Sequence, residues 1–167
     1  LPLATVAAVA PSLDLGTNIA IAFARSPMVV AHTAWDLAAV SEGRFMLGLG
    51  TQIRAHLARR FSTPWVAPRP RLREYVLALR AIWSAWQERA PLRFEGDHYR
   101  FSLMTPLFDP GPIGNPEVPV FAAAVGSAMA RLAGEVCDGM QVHPFHTLRY
   151  LDEVLLPAMR QGAQEAG

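Results

Sequence analysis

Lysine is absent from this chain of 167 residues, and all 15 of its basic residues are arginine. Charged residues of both signs make up only 17% of the chain and leave a formal net charge of +1. A chain so close to neutral lacks the broad positive charge that binding to the nucleic acid backbone requires. We attribute the arginine bias to a GC-rich genome, so it says nothing about mechanism.

Cysteine is almost absent too. The single cysteine, Cys137, cannot form a disulfide within the chain, and its apolar neighbours predict a small buried thiol instead of a nucleophile. No apolar run reaches the about 18 residues that a membrane helix needs, and segment 1–11 has neither the basic flank nor the cleavage pattern of a signal peptide. These absences predict a cytoplasmic protein that binds no membrane and no nucleic acid, and we expect no metal site.

Apolar residues are plentiful, at 51% of the chain, so a single domain over residues 1–167 can bury a sizeable core. The chain begins without Met and opens into a predicted helix at 2–9, an element that normally follows a strand in alternating folds. We therefore expect a piece of a larger domain, incomplete at both ends.

Helix and strand patterns alternate along the chain. The run 13–23 has large side chains at one parity and small ones at the other, which predicts one strand with an open face. Ser26 as N-cap, Pro27 at the first helical position and Gly43 as a left-handed stop bound a helix at 28–40. This helix is apolar nearly all round, which indicates a partner surface.

Later elements follow the same logic. Strands are predicted at 44–52, 118–124 and 140–143, and helices at 69–88, 128–136 and 148–161, with Asp138-Gly139 ending the middle helix. A hairpin at 92–101 turns at Gly96-Asp97, and the proline-rich stretch 106–119 cannot be regular. The hairpin and the long loop together form an insertion at about 91–117.

Alternation of this kind predicts a parallel sheet, either closed as a barrel or open and doubly wound. The dinucleotide-binding option is weak, because Gly48-Leu49-Gly50 lacks the third glycine of that motif. A complete barrel needs about 250 residues and eight strands. The predicted fold class is therefore α/β, a partial TIM (β/α)8 barrel with about half of the barrel strands.

Parallel α/β proteins place their chemistry at the carboxyl ends of the strands. Val125-Gly126-Ser127 stands at such an end, where main-chain N–H groups and a helix dipole can hold an anion and Gly126 lets it come close. Spacing alone leaves two interpretations open, a phosphate site or a plain turn with Ser127 as the helix cap.

Several stretches resemble the bacterial luciferase-like monooxygenase superfamily when their order and spacing are taken together. They are 16–19 ahead of 25–27, then 43–52, 94–99, 123–127, 133–135 and 138–139. Within the superfamily they look most like the branch that uses the deazaflavin coenzyme F-420 (F420). The resemblance implies a (β/α)8 barrel in which this chain supplies roughly the second to fifth strands, with the flavin at their carboxyl ends.

The resemblance also implies cofactor-binding residues. In relatives, the pair matching Asn18-Ile19 is joined by a non-prolyl cis peptide that forms a bulge behind the ring. Other matched positions lie beside the ring and its side-chain linker, or on the loop that holds the phosphate. The implied set is Asn18, Ile19, Thr51, Gln52, His56, Ala124, Val125, Gly126 and Ser127.

The catalytic residue stays unassigned. Ile53 stands where enzymes of the F420 branch commonly carry a glutamate, and isoleucine cannot exchange protons. A histidine that faces the flavin in relatives lies on a strand that would precede Leu1. The candidates are His143 and His146; His146 matches a lysine that binds sugar phosphate in F420-dependent glucose-6-phosphate dehydrogenases, and a histidine there indicates a different substrate.

The function that the resemblance implies is hydride transfer between F420 and a small organic substrate. One alternative is an FMN-dependent monooxygenase acting on paired donors with incorporation or reduction of molecular oxygen, and another is a non-catalytic flavin-binding protein. A deazaflavin reacts poorly with oxygen, so the bound coenzyme separates the first two. We expect residues 1–167 alone to be inactive, and the whole protein to form a homodimer through helices 28–40 and 69–88.

Structural roles are expected for the other noticeable side chains. His32 lies on the buried helix and His98 in the hairpin, so both are interpreted as structural or solvated instead of catalytic. Trp83 and Trp86 lie on the apolar stripe of the helix at 69–88, which predicts packing and not a ligand cage.

Overall fold

The computed structural model describes residues 2–167 and has an α/β fold. The chain divides into two compact units. The first unit contains the residues up to 16 together with 25–46 and 74–118, and the second contains 17–24, 47–73 and 119–167. None of the helices in the described part of the chain is both long enough and apolar enough to cross a membrane.

The regular elements alternate as the sequence predicts. In chain order they are α1 (Pro2–Val9), β1 (Leu15–Gly16), β2 (Ala20–Ile21), α2 (Pro27–Val40), β3 (Phe45–Gly50), α3 (Arg54–Arg60), α4 (Pro68–Glu88), β4 (Phe94–Glu95), β5 (Arg100–Phe101), β6 (Val120–Ala124), α5 (Ser127–Val136), β7 (Gly139–Val142), α6 (Leu148–Tyr150) and α7 (Leu156–Ala166). A 3-10 turn at Pro106–Phe108 and a π-helical turn at Leu151–Leu155 complete them.

The main sheet is parallel throughout, in the order β1, β3, β6, β7, with β2 also paired to β3. β1 pairs with the first two residues of β3, and β2 with its last two. β6 pairs with β3 on its other side, and β7 pairs with β6. β4 and β5 form a separate antiparallel hairpin, which confirms the hairpin predicted at 92–101.

The ends of α2 are those that the sequence predicts. The Ser26 hydroxyl oxygen accepts a hydrogen bond from the Met28 amide at 3.3 Å, and Pro27 occupies the first turn. After the helix, Glu42 and Gly43 both have positive φ angles, and the Gly43 amide donates to the Ala38 carbonyl at 2.9 Å. Local cap chemistry therefore fixes where this helix begins and ends.

The single strand predicted at 13–23 is wrong. The chain bends at 17–19 between β1 and β2, so the alternation of large and small side chains does not run through the whole segment. Ala22 and Phe23, which are consecutive, are both buried, whereas Leu13 is exposed. A period of two holds only while a strand is unbroken, and the bend resets which side chains face inward.

The single helix predicted at 148–161 is also corrected. It is divided into α6, the π-helical turn and α7, and α7 continues to Ala166. Pro157 lies in the first turn of α7 and has no N–H to donate to the preceding turn. Widening of the turn just before it accommodates this missing hydrogen bond.

In the first unit, tryptophans pack the core between α2 and α4. The Trp35 and Trp83 rings stack with centroids 6.4 Å apart, and Trp83 Nε1 donates to the Ala31 carbonyl at 3.2 Å. His32 packs its ring 4.5 Å from that of Trp86. These contacts confirm the packing interpretation of the tryptophans and a structural role for His32.

One carboxylate of α4 anchors the hairpin of the first unit. Glu74 accepts hydrogen bonds from the main-chain amides of Asp97, His98 and Tyr99 at 3.1, 2.8 and 3.2 Å. Burial, the largest influence, raises the pKa of Glu74, but the three amides and the nearby His98 together lower it below its usual range. Gly96 leaves the room for this carboxylate, since a Cβ there would lie 2.3 Å from Glu74 Oε2.

In the second unit, α5 and α7 cross at two glycines. A Cβ on Gly134 would lie 1.9 Å from the Met159 carbonyl oxygen, and a Cβ on Gly162 would lie 1.9 Å from that of Arg131. α5 ends at Val136, so Asp138-Gly139 does not end it; Gly139 already belongs to β7. Cys137 caps the helix and is half-buried, less than the buried thiol that its neighbours predict, because it follows the last helical residue instead of lying on the packed face of the helix.

Candidate functional site

A cavity of about 320 Å³ lies in the second unit, at the carboxyl ends of β6 and β7. The bend between β1 and β2 provides one of its walls, and the two strand ends with the residues after them provide the rest. Its lining consists of Asn18, Ile19, Ala123, Ala124, Val125, Gln141, Val142, His143 and Pro144. The position is the one that parallel α/β proteins use for ligands, and five of the eleven residues predicted for the site line it.

The Asn18–Ile19 wall contains the one unusual peptide bond of the described chain. The bond between Asn18 and Ile19 is cis, which confirms what the resemblance implies for this pair. Asn18 is exposed and Ile19 is half-buried. Ile19 packs over the end of β3, because a Cβ on Gly50 would lie 2.7 Å from Ile19 Cδ1. The absence of a side chain on Gly50 thus leaves space for this wall.

The turn at Gly126 is open. α5 begins at Ser127, and its N-cap, Gly126, makes no side-chain hydrogen bond, so the interpretation with Ser127 as the cap is wrong. The first amides of a helix have no acceptor within it, and they carry the positive end of the helix dipole. A Cβ on Gly126 would meet no atom within 4 Å, and Val125 beside it is 64% exposed. The turn therefore has both the space and the donors that a phosphate group needs.

Below the cavity, a polar network replaces the missing strand pairing between β1 and β2. The Thr17 hydroxyl donates to the Gly48 carbonyl at 2.7 Å and accepts from the Gly48 amide at 2.9 Å. Gln141 Nε2 donates to the Thr17 carbonyl at 2.9 Å. Gln141 Oε1 is buried and has no hydrogen-bond partner among residues 2–167. The network joins β7 to β3 and to the bend that carries Asn18.

Both candidate histidines lie after β7, but only His143 lines the cavity. His143 Nδ1 accepts a hydrogen bond from the Phe145 amide at 3.3 Å, so the neutral ring has its proton on Nε2. The His146 ring lies 6.1 Å from the His143 ring and 5.1 Å from that of Tyr150. His146 Nδ1 is buried without a partner among residues 2–167. The two imidazoles therefore form one aromatic cluster at the rim of the cavity.

The residues after β3 are not part of this lining. Thr51 and Gln52 are half-buried, and Gln52 has a positive φ of 61° with its Oε1 accepting from the Ile53 amide at 3.3 Å. Ile53 and His56 are exposed, the latter on α3. The structure does not bring Thr51, Gln52 and His56 into the cavity, and their role as cofactor-binding residues stays a prediction.

Thr17 and Gln141 are not among the site residues predicted from the sequence. Each is a polar residue next to a strand or within one, in a main sheet whose strands otherwise contain only glycine and apolar side chains. A hydroxyl and an amide in such positions need partners, and this requirement was the available signal. The distance of 124 residues between them in the chain hid the contact.

Comparison with known proteins places these features in a family. The profile of the family described as luciferase-like monooxygenase matches residues 1–167. The chain belongs to the luciferase-like monooxygenase family. The uncharacterized protein Rv1360 of Mycobacterium tuberculosis is 53% identical over 167 residues, which is all of this chain and 49% of that protein. The F420-dependent glucose-6-phosphate dehydrogenase 1 of Rhodococcus jostii is 32% identical over 159 residues, covering 92% of this chain and 45% of the enzyme.

Solved structures of other proteins have the same fold as this chain. One is an F420-dependent secondary alcohol dehydrogenase in complex with an F420-acetone adduct, which superposes with a TM-score of 0.76 at 26% identity. The superposition covers 91% of this chain and 44% of the dehydrogenase chain. Monooxygenase RslO1 from Streptomyces bottropensis superposes with a TM-score of 0.79 at 25% identity, covering 99% and 49%. The predicted partial TIM barrel and the resemblance to the F420 branch are confirmed.

The luciferase-like chain spans about half the length of the curated relatives it matches. Its parallel strands therefore correspond to part of the barrel of those proteins.

Proposed function

We propose that this luciferase-like chain contributes the coenzyme cavity of an oxidoreductase that transfers hydride between F420 and a small organic substrate. The observation that carries the proposal is the cavity at the carboxyl ends of β6 and β7. The Asn18–Ile19 wall lines it, and the open turn at Gly126, which is not itself part of the lining, directly follows the lining residue Val125. The F420-dependent enzymes among its relatives support the choice of coenzyme.

The residues present fit such a coenzyme. The amides at the start of α5 would hold its phosphate, because they are unpaired by helix geometry and no side chain fills the turn. Asn18 and Ile19 would contact its ring, and Val125 belongs to the loop that would hold the phosphate. The bound deazaflavin supplies hydride chemistry and reacts poorly with oxygen. The cavity volume of about 320 Å³ lies at the lower end of the range of ligand sites.

His143 is the side chain in this cavity that can hold or move a proton. Hydride transfer at a carbon that bears a hydroxyl or carbonyl group needs a group that takes or gives the oxygen-bound proton. His143 has its Nε2 free for this, since Nδ1 is occupied by the Phe145 amide. Ile53 cannot do so, and its side chain is 59% exposed after β3. We therefore assign proton transfer to His143, with His146 beside it in the aromatic cluster.

An FMN-dependent monooxygenase is the second candidate. The structural likeness to monooxygenase RslO1, with a TM-score of 0.79, and the isoleucine at position 53 favour it. A non-catalytic flavin-binding protein is a third, for which the same isoleucine is the argument. The three differ in which coenzyme the protein binds and in whether it turns over a substrate.

Fluorescence titration with F420 and with FMN tests the proposal on the protein expressed from its complete reading frame. We expect F420 to bind and Gly126→Ala to bind it about tenfold more weakly, since a methyl group in the turn displaces hydrogen bonds from main-chain amides to a charged group. Gly114→Ala is the matched control, because a Cβ there also meets no atom within 4 Å and Gly114 lies outside the cavity. Tight binding of FMN without F420 would replace the proposal by the monooxygenase, and binding of neither would refute both.

We also propose a homodimer through α2 and α4 of the first unit. Val29 and Val40 of α2 are 54% and 56% exposed, and this apolar surface would be covered by a second copy. Light scattering after gel filtration should give a dimer for the wild-type protein and a larger monomer fraction for Val29→Lys. A wild-type monomer at micromolar concentration would refute this arrangement.

A further inference from the structure

We propose that Gln141 is a positioning residue that ties the Asn18–Ile19 wall of the cavity to the strand that carries His143. The inference rests on the proposed function for the identity of the ligand, but the contact itself belongs to the protein without ligand. Gln141 lies in β7, and Thr17 immediately precedes Asn18 in the bend between β1 and β2. β7 pairs with neither of those strands, so the side chain of Gln141 provides a link that the sheet does not.

The Thr17 carbonyl needs this link because the ladder is interrupted there. β1 pairs with β3 through Phe45 and Met46, and β2 pairs with it through Leu49 and Gly50. At Gly48, between these pairs, the Thr17 side chain supplies both the donor and the acceptor that a strand would have supplied. The main-chain carbonyl of Thr17 is thus outside the ladder, and a carbonyl in the sheet interior is stabilised only if another donor reaches it.

Gln141 is that donor, and its position over Gly48 is tightly defined. Gln141 Nε2 lies 2.9 Å from the Thr17 carbonyl oxygen. A Cβ on Gly48 would lie 1.9 Å from that oxygen and 2.4 Å from both the nitrogen and the oxygen of the Gln141 amide. The amide therefore lies directly on the main chain of β3, in space that glycine alone leaves free. The orientation follows from the chemistry, since only the nitrogen end can face a carbonyl oxygen.

This orientation leaves Gln141 Oε1 buried without a partner. A buried acceptor that is not hydrogen-bonded is unfavourable and rare, so the Gln141 amide is not explained by stability alone. Its effect is geometric. Gln141 lies in β7 and His143 follows directly after the strand, two residues further on, and both line the cavity. The hydrogen bond to Thr17 thereby fixes the separation between the wall expected to contact the ring and the imidazole expected to move the proton.

The experiment compares Gln141→Met and Gln141→Glu with Gln164→Met, in the protein expressed from its complete reading frame. Methionine has the length of glutamine without a donor, and an ionised glutamate keeps the shape but cannot donate to a carbonyl. Gln164 is an exposed glutamine of α7 and is the matched control. Hydrogen–deuterium exchange without ligand reports on the contact. Titration with F420 and FMN, and kcat and KM wherever a substrate is found, report on the cavity.

In both Gln141 variants, amide exchange in peptides covering 17–23 should be about tenfold faster than in the wild type, because one hydrogen bond holding the bend is lost. Exchange in peptides covering 28–40 should be the same as in the wild type. The affinity of both variants for whichever coenzyme the wild type binds should fall by about tenfold, with kcat reduced more than KM changes. Gln164→Met should match the wild type in every measurement.

Unchanged exchange at 17–23 in a folded Gln141 variant would overturn the inference, as would unchanged coenzyme affinity. A global loss of folding in both variants would also overturn it, since Gln141 would then be a core support. If the wild type binds neither coenzyme but the local exchange difference is present, the proposed function fails and the positioning role stands. If the wild type binds a coenzyme and the Gln141 variants bind it equally well, the coenzyme cavity of the proposed function stands and the positioning role fails.

Discussion

Replacing Gly48 by alanine tests the polar network below the cavity most directly. The added methyl group would lie 1.9 Å from the Thr17 carbonyl oxygen and 2.4 Å from the Gln141 amide, so both must move. Main chain and a buried side chain are displaced together, and neither can move away as freely as the end of a flexible exposed side chain. The expected result is a large loss of stability from a change of one carbon atom.

The magnitude follows from the contacts. Overpacking of an interior typically costs about 1–3 kcal/mol, and the Gln141 bond to Thr17 and the two bonds between Thr17 and Gly48 contribute about 1 kcal/mol each. Alanine also restricts the main chain of the unfolded state, which stabilises the folded state by about 0.4–1 kcal/mol and offsets part of this loss. We therefore expect the free energy of unfolding to fall by about 3–6 kcal/mol, and the melting temperature to fall by about 10 °C or more.

Urea unfolding followed by circular dichroism measures this change, with Gly114→Ala as the control. Gly114 has no atom within 4 Å of its added Cβ and no positive φ, so that variant should differ from the wild type by less than about 0.5 kcal/mol. A Gly48→Ala protein as stable as the control would show that Thr17 and Gln141 are not packed against Gly48, and the reasoning about the network would be refuted.

Other substitutions test the rest of the structure. Glu74→Gln should lower the free energy of unfolding by about 1–3 kcal/mol at pH 7, because the hairpin amides lose a charged acceptor. The pKa of Glu74 is lowered in the folded chain, so its contribution is present above the ordinary value of 4.5 and is lost as the pH falls through the lower folded value; urea titrations at pH 7 and pH 3 should show the two proteins converging, and a constant difference would contradict this. Ser26→Ala should cost about 1 kcal/mol in thermal unfolding through loss of the α2 cap, with an unchanged melting temperature as the contrary result. Gly162→Ala should destabilise by about 2–3 kcal/mol, since its methyl group meets the Arg131 carbonyl, and preserved stability would show that α5 and α7 separate freely.

The parts of the fold that the sequence predicts well are those fixed by neighbouring residues. Ser26 and Pro27 define the start of α2, and Gly43 its end, within a few positions of the helix itself. The hairpin at 94–101 follows from a glycine turn between two short stretches in which apolar and polar residues alternate. Each of these signals acts over fewer than about ten residues, so reading them requires no knowledge of the tertiary structure.

The parts that it predicts poorly depend on distant partners. The break between β1 and β2 is stabilised by Gly48, 31 residues from Thr17, and by Gln141, 124 residues away. No local pattern distinguishes Thr17 from any other small β-branched residue in a strand. The π-helical turn before Pro157 is an intermediate case, because the proline is visible in the sequence while the way the helix adapts to it is not.

The candidate site shows the same division. Asn18, Ile19, Ala124, Val125 and His143 were singled out from motifs at strand ends, and the structure brings them into one cavity. The residues after β3 were selected by the same resemblance but do not line it. A motif indicates at which end of the sheet a residue lies. The direction of its side chain depends on the conformation of the turn that follows the strand, and in this turn Gln52 has a positive φ.

The anchor of the hairpin on Glu74 has a consequence for how this segment can vary. The carboxylate accepts hydrogen bonds from the main-chain N–H groups of three successive residues, so these bonds depend on the path of the main chain and not on which side chains the three residues carry. Among the amino acids, only proline lacks the group that is recognised. Position 97 can therefore change its side chain while the loop stays attached to α4, provided that Glu74 and the small residue at 96 are retained, whereas position 99 is also constrained by the packing of the Tyr99 ring edge-on against that of Tyr75, with centroids 5.6 Å apart.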